Sequence, residues 1–353
     1  MKIGIYAEEL NHFIVTIAYF ISLDNLSKVL VITDGKCNRE FSEHPWCLKI
    51  LEQIKNVDII PASSRVDRLD YLYLCLSSNR FLWNQELNKW VYSAMKIGCL
   101  RESYLHKTIK EHIKELVYSF PYYLNVQSVT LQDSKDVKHP FFFIRNKYFF
   151  SPSVHPQFFI NKNWGKKLFE EIKDPSKSRT FKITFIGNKE PPEREATLRF
   201  IVRRLSNLNN VVLSDKFPPT DMDTEKTKIL WIENDLKHPE RSLSPGLYAD
   251  ALGDSDFSVC PLGWGGNWTH RVIESLLRGA IPIVEDEKIY NIELADMENC
   301  IVVKNADWNE AIERVSGLSL SEICRLRSNI VKLRDEYLLP EVAASRLRKG
   351  MLL

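Results

Sequence analysis

The chain runs to 353 residues, 44% hydrophobic and 27% charged, and Lys+Arg 48 against Asp+Glu 46 leave a formal net charge of +2. That length supports two domains of ordinary size, and a charge so near balance does not by itself argue for nucleic acid or an anionic bilayer as partner. The cysteines at 37, 47, 75, 99, 260, 300 and 324 form no CxxC pair, which points away from a zinc site or a disulfide framework and towards reduced, cytoplasmic thiols.

The sequence opens with MKIGIYAEEL, a strand pattern without the charged-then-apolar layout of a signal segment. Strands at 2–7, 28–33 and 57–60 alternate with helices over about 9–24 and 44–55, the rhythm of parallel crossover units. The longest apolar run, FIVTIAYFISL at 13–23, reads as a buried helix too short to cross a bilayer. Residues 68–120 carry Leu, Tyr and Trp at helical spacing and are expected to form two or three helices on that sheet. SVTLQD at 128–133 reads as a further strand. Residues 150–179, rich in Pro, Asn, Lys and Ser, make the best linker.

A second alternating pattern begins with FKITFIG at 181–187, then a helix over about 192–206 and the strand NVVLSD. Residues 215–243 are polar and carry no clear assignment. A short helix at 248–252 leads to a strand at 257–260, a loop at 261–267 with three glycines and with tryptophans at 264 and 268, a helix bearing Arg271 and Glu274, and a strand at 280–284. CIVVK at 300–304 and helices at about 307–316 and 319–337 follow. The expected organisation is an N-terminal domain over 1–160, a second over 161–338, and a segment, 339–353, that can cross back to the first.

A glycine loop between a strand and a helix offers backbone N–H groups and the positive end of a helix dipole to an anion. With a guanidinium beside it, the pattern suits a diphosphate, and Glu274 one turn on can accept from a ribose hydroxyl. The residues Cys260, Pro261, Gly263, Thr269, Arg271, Glu274, Ser275, Leu276, Gly279, Ile281 and Pro282 resemble the C-terminal half of the exostosin-like glycosyltransferases. The similarity continues more thinly to about Leu339, so it covers the second half of the chain. It implies a GT-B fold, two Rossmann-like α/β domains facing each other across a cleft. It also implies transfer of a sugar from a nucleotide diphosphate donor, with inversion. Animal and plant exostosins carry a membrane anchor; this chain reads as a bacterial or viral relative in the cytoplasm, peripheral to a membrane at most.

Arg271 and Glu274 are either a surface ion pair or the diphosphate and ribose contacts, and the loop before them favours the second reading. Gly263, Gly265 and Gly266 let a ligand approach the backbone. Thr269 either caps the helix or bonds a phosphate oxygen, with His270 a secondary contact. Gly187 closes the first strand of the second domain, and Arg194, Asn188 or Lys189 just after it can reach the donor phosphates. Arg241 and Tyr248 either contact the base or only pack. Glu285 and Asp286, at a strand's carboxyl end, suit donor-sugar hydroxyls or form a solvated loop. The GT-B scaffold usually works without a bound cation, so neither an essential metal nor a separate cofactor is expected.

The general base of an inverting transfer is expected in the first domain: Glu8, Glu9 or His12 after the first strand, or Asp133, with Asp136 and His139 nearby. The leading expectation is a transferase using a UDP-linked sugar and a glycan or lipid-linked saccharide acceptor, with no nucleic-acid partner. The competing readings are a nucleotide-sugar epimerase, a fucosyltransferase-like GT-B enzyme, and a non-catalytic nucleotide-sugar or glycan binder.

Overall fold

The computed structural model describes the chain except residues 8–11, 24–26, 34–44, 66–67, 76–88, 91–92, 95–96, 101–125, 129–153, 191, 209, 220–225, 235–241, 264–268, 288–291 and 353. Its contacts divide into two compact units, Met1–Pro156 with Pro340–Leu353, and Gln157–Leu339. Among the described residues no helix is long and apolar enough to cross a membrane.

The first unit is built on six parallel strands: β1 (Lys2–Ala7), β2 (Lys28–Thr33), β3 (Val57–Pro61), β4 (Tyr71–Cys75), β5 (Ile97–Leu100) and β6 (Val126–Ser128). Their order is β3-β2-β1-β4-β5-β6, with β1 in register against β2 (Ile5↔Val31) and against β4 (Ile5↔Tyr73). Ile3, Ile5, Tyr6 and Ala7 are fully buried, as expected where helices cover both faces of a parallel sheet. Helix α1 (His12–Ser22) packs against α2 (Pro45–Gln53) and against the last helix of the chain.

Tyr71–Cys75 and Ile97–Leu100 overturn the helical reading of 68–120 at those two segments, while 76–88 and 101–120 lie outside the described residues. A strand buried on both faces is a continuous apolar run, and YLYLC satisfies helical and extended spacing equally. The decision falls to the partner: Tyr71 and Leu72 are buried where they pair with Ile3 and Gly4 of β1. Of the expected strand at 128–133, only Ser128 lies among the described residues, as the end of β6.

The second unit begins inside the expected linker, which folds instead as a short 3-10 turn (Pro156–Phe159) and α3 (Lys162–Phe169). Asn161 caps α3 by accepting from the Asn163 N–H at 2.9 Å; the residue type that signals a loop also starts helices. Strand β7 (Phe181–Asn188), α4 (Pro192–Ser206), β8 (Val211–Ser214), β9 (Thr227–Asn234), α5 (Pro245–Gly253), β10 (Ser255–Cys260), α6 (His270–Arg278), β11 (Ile281–Val284) and β12 (Ile301–Val302) follow. Helices α7 (Trp308–Gly317) and α8 (Leu320–Leu333) come next, α8 continuing into a π-helical turn (Arg334–Leu338). Helix α9 (Pro340–Leu352) belongs with the first unit, where it packs on α1. Strand β9 lay unassigned in the sequence because only Ile229, Leu230, Trp231 and Ile232 of it are buried, between charged neighbours.

The second sheet is also parallel, in the order β12-β11-β10-β7-β9-β8. The chain leaves β7 towards β8 and β9 on one side and continues from β10 to β12 on the other. The carboxyl ends of β7 and β10 therefore flank the point where strand order reverses, the place where open α/β sheets bind ligands.

Buried arginines pin the rest of the unit together. Arg327, fully buried, donates to Asp256 and to the carbonyls of Pro175 and Lys177 at 3.1 and 2.7 Å. Arg334 donates to the carbonyls of Phe169 and Glu170 at 2.9 and 2.7 Å.

Candidate functional site

At the reversal point β7 ends in Gly187 and Asn188, β10 ends in Cys260, and Pro261–Gly263 lead towards α6. Gly265 and Gly266 lie outside the described residues, while Gly263 is buried. Thr269 occupies the N-cap of α6 with extended φ −128 and ψ 140, but its side chain makes no capping bond to the first turn. His270, half-buried, is the first residue of the helix. Gly279 closes α6 in the left-handed conformation at φ 76, where the Ala280 N–H donates to the Ser275 carbonyl at 2.9 Å. The length of the helix is thus set at both ends, which places Arg271 in its first turn.

Arg271 is only 7% exposed. Its Nε donates to the Ile186 carbonyl at 3.1 Å, and its guanidinium carbon stands 4.6 Å from the centroid of the Phe185 ring. Phe185 in turn packs against Trp231 of β9, with ring centroids 4.8 Å apart. Residues 185 and 187 share a sheet face because side chains alternate along a strand, so the guanidinium passes from ring to glycine. A Cβ at Gly187 would sit 1.9 Å from Arg271 Nη2. Nη1 is buried and has no hydrogen-bond partner among the described residues. A buried cation with an unused donor carries a desolvation penalty of several kcal/mol that an anion would offset.

Glu274 lies one turn further on and is 4% exposed. Its Oε2 accepts from the Tyr248 hydroxyl at 2.8 Å. Burial first, and the Glu274 carboxylate next, push the Tyr248 phenol well above its ordinary value, so the phenol keeps its proton and acts as the donor. Tyr248 comes from α5, whose start is fixed by Ser244 accepting from the Leu247 N–H at 3.3 Å. Arg271 and Glu274 are therefore not a solvated surface pair; both project into the interior of the unit.

Arg194 of α4 donates through Nε to the Leu262 carbonyl at 2.8 Å and through Nη1 to the Asn188 carbonyl at 3.4 Å. Glu285 accepts from the Leu262 N–H at 3.1 Å. Burial raises the Glu285 carboxyl, against the Leu262 N–H and the Arg194 charge that lower it. Asn188 accepts from the Glu190 N–H at 3.0 Å, and Lys189 pairs with Glu195 at 3.6 Å. Asp286 is half-buried. The Cys260 thiol, pushed up to about 11 by burial, touches Ser258 and Ser275 and is inert.

The structure thus brings Gly187, Arg194, Gly263, Arg271, Glu274 and Glu285 to one end of one sheet. Sequence reasoning missed Phe185, the Ile186 carbonyl and the Leu262 peptide. Phe185 had a signal, since it stands two residues before the strand-closing Gly187; the two carbonyl and peptide partners had none. Glu8, Glu9, Asp133, Asp136, His139 and Arg241 lie outside the described residues, and of His12 only the backbone, opening α1, is described. Among the described residues no three His, Cys, Asp or Glu side chains gather as a metal site.

Two parallel sheets of this topology define the GT-B fold of glycosyltransferases. The structure is similar to a mutant of S. aureus TarM, solved in complex with Fondaparinux, alpha-GlcNAc-glycerol and UDP: TM-score 0.59, 8% identity, 99% of each chain covered. It is similar to a glycosyltransferase from Rickettsia africae, at TM-score 0.59 and 11% identity over 99% of this chain and 98% of that one. Anabaena HepE, solved with UDP and glucose, gives TM-score 0.56 and 8% identity over 100% and 99%. No family profile and no curated protein matches the chain in sequence.

Proposed function

We propose that this chain is a glycosyltransferase of the exostosin-like type, taking a UDP-linked sugar as donor and a glycan or lipid-linked saccharide as acceptor. The observation that carries the reading is the buried Arg271, with Nη1 unpartnered, in the first turn of the helix that follows β10 at the strand-order reversal. A diphosphate there would receive the guanidinium and the orphan N–H groups of the helix start together. Glu274, braced by Tyr248, is the ribose acceptor. Chains of the same fold solved with UDP support the choice of nucleotide.

Transfer is a single displacement with inversion. The acceptor oxygen forms the new bond to the anomeric carbon as the bond to the diphosphate oxygen breaks, and the leaving charge is stabilised by Arg271 and the helix start. The acceptor proton goes to a general base, for which Glu8, His12 and Asp133 are the candidates. Arginine and helix supply the positive field, so activity should survive EDTA. We assign no nucleic-acid acceptor.

The test is calorimetric titration with UDP, GDP and CMP, then transfer assays with the matching nucleotide sugars against saccharide, lipid-linked and DNA acceptors. UDP should bind the wild type and bind Arg271→Ala far more weakly. Binding without turnover would establish a non-catalytic binder, and sugar interconversion without transfer an epimerase. Equal affinity of wild type and Arg271→Ala for UDP would remove the donor site altogether.

A further inference from the structure

The backbone of Leu262 is held at both of its polar groups. Its N–H points at the Glu285 carboxylate, 3.1 Å away, and its carbonyl at the Arg194 guanidinium, 2.8 Å away. The two groups belong to the successive peptide units on either side of the Leu262 Cα; each faces the charge of opposite sign, and both bonds are of the stronger, charge-assisted kind. Through Nη1 the same guanidinium reaches the last carbonyl of β7 at Asn188, 3.4 Å away. Four elements far apart in sequence, β7, α4, β10 and β11, therefore meet around Leu262 and the Arg194 guanidinium.

Leu262 sits where the chain leaves β10 for the turn preceding Arg271. Pro261 just before it has no N–H, so Leu262 supplies the first backbone donor after the strand. A turn left to wander would have to be ordered each time a ligand bound, whereas one fixed beforehand avoids that loss of entropy.

We propose that Arg194 and Glu285 form a positioning pair that locks the two peptide planes flanking Leu262, so that Arg194 acts on the bound diphosphate through the turn and not by touching it. The inference rests on the nucleotide reading of Arg271. It assigns Arg194 a different task from direct phosphate contact, and Glu285 a different one from donor-sugar recognition.

The two tasks separate in a double-mutant cycle on UDP affinity, combined with amide hydrogen exchange at Leu262 in the nucleotide-free protein. Arg194→Met and Glu285→Ala should each weaken UDP binding about ten- to a hundredfold, the range for losing a hydrogen bond to a charged group. The double variant should be little weaker than the worse single, because both act on the backbone of one residue. Glu285→Gln keeps the accepting oxygen and should bind UDP within about twofold of wild type. Leu262 exchange should accelerate in Arg194→Met and Glu285→Ala and return to the wild-type rate in Glu285→Gln.

Additive single effects on UDP would mean that Arg194 touches the phosphates, and the proposal would be wrong. Glu285→Gln as weak as Glu285→Ala, or unchanged Leu262 exchange in the singles, would overturn it equally. Arg271→Ala serves as the separate control. If it binds UDP like wild type the nucleotide reading fails, whereas the exchange measurement decides on its own whether the pair holds that backbone.

Discussion

Gly187→Ala probes the contact on which the donor site depends. The added Cβ would lie 1.9 Å from Arg271 Nη2, where ordinary contact begins at 3.4 Å. The guanidinium must retreat by more than an ångström, yet it is held by the Ile186 carbonyl at 3.1 Å and by the Phe185 face at 4.6 Å. Moving it forfeits the charged hydrogen bond, about 1.5–3 kcal/mol, and part of a buried cation–π contact of about 2 kcal/mol. It also displaces the unpartnered donor, Nη1. UDP affinity measured by calorimetry should fall at least about tenfold, since 1.4 kcal/mol corresponds to a factor of ten. In an Arg271→Ala background the same substitution should have almost no further effect on UDP, because the clash partner is gone. Wild-type affinity in Gly187→Ala, or an undiminished effect in the Arg271→Ala background, would refute the reasoning.

Tyr248→Phe removes the donor to Glu274 Oε2; the under-bonded buried carboxylate should lower stability by about 1–3 kcal/mol in urea unfolding and narrow the preference for UDP over 2′-deoxy-UDP. Burial raises the Glu285 carboxyl above 4.5 in the folded state, so between 4.5 and that raised value the folded chain holds a proton the unfolded chain has released. Stability from this group should therefore fall as pH rises through that window, and Glu285→Gln should flatten the slope measured in urea titrations from pH 4 upward. Arg327→Met strips the partner from the mostly buried Asp256 and should destabilise by about 3–5 kcal/mol, read as a lower thermal midpoint. Cys260 and Cys47, pushed up to about 11 and about 12 by burial, should escape alkylation of the native protein in peptide mapping. The half-buried Cys324 should react.

Much of the second unit was legible because its signals are local. FKITFIG is a continuous apolar run that reads as a buried parallel strand, and it forms β7. The strand at 255–260 and the Arg-bearing helix at 270–278 follow the periodicities that backbone hydrogen bonding imposes on neighbouring residues. The errors fell where one local signal serves two structures. YLYLC fits a helix or a two-faced strand, and Asn161 marks a loop or begins a helix. TKILWIEN hid because polar flanks surround a short buried centre.

What the sequence determined by itself was therefore a kind of site: a strand-turn-helix with an arginine and a glutamate one turn apart, suited to an anion and a hydroxyl. Tertiary structure alone decided how that site is held. Arg271 meets the Ile186 carbonyl from 85 residues away, over a glycine whose missing Cβ makes room for it. Arg194 and Glu285 meet at Leu262 from 68 residues before and 23 after. Such contacts exist because β7 lies between β9 and β10 in the sheet, an adjacency fixed by strand order and long-range burial, whereas periodicity reports only on neighbours along the chain.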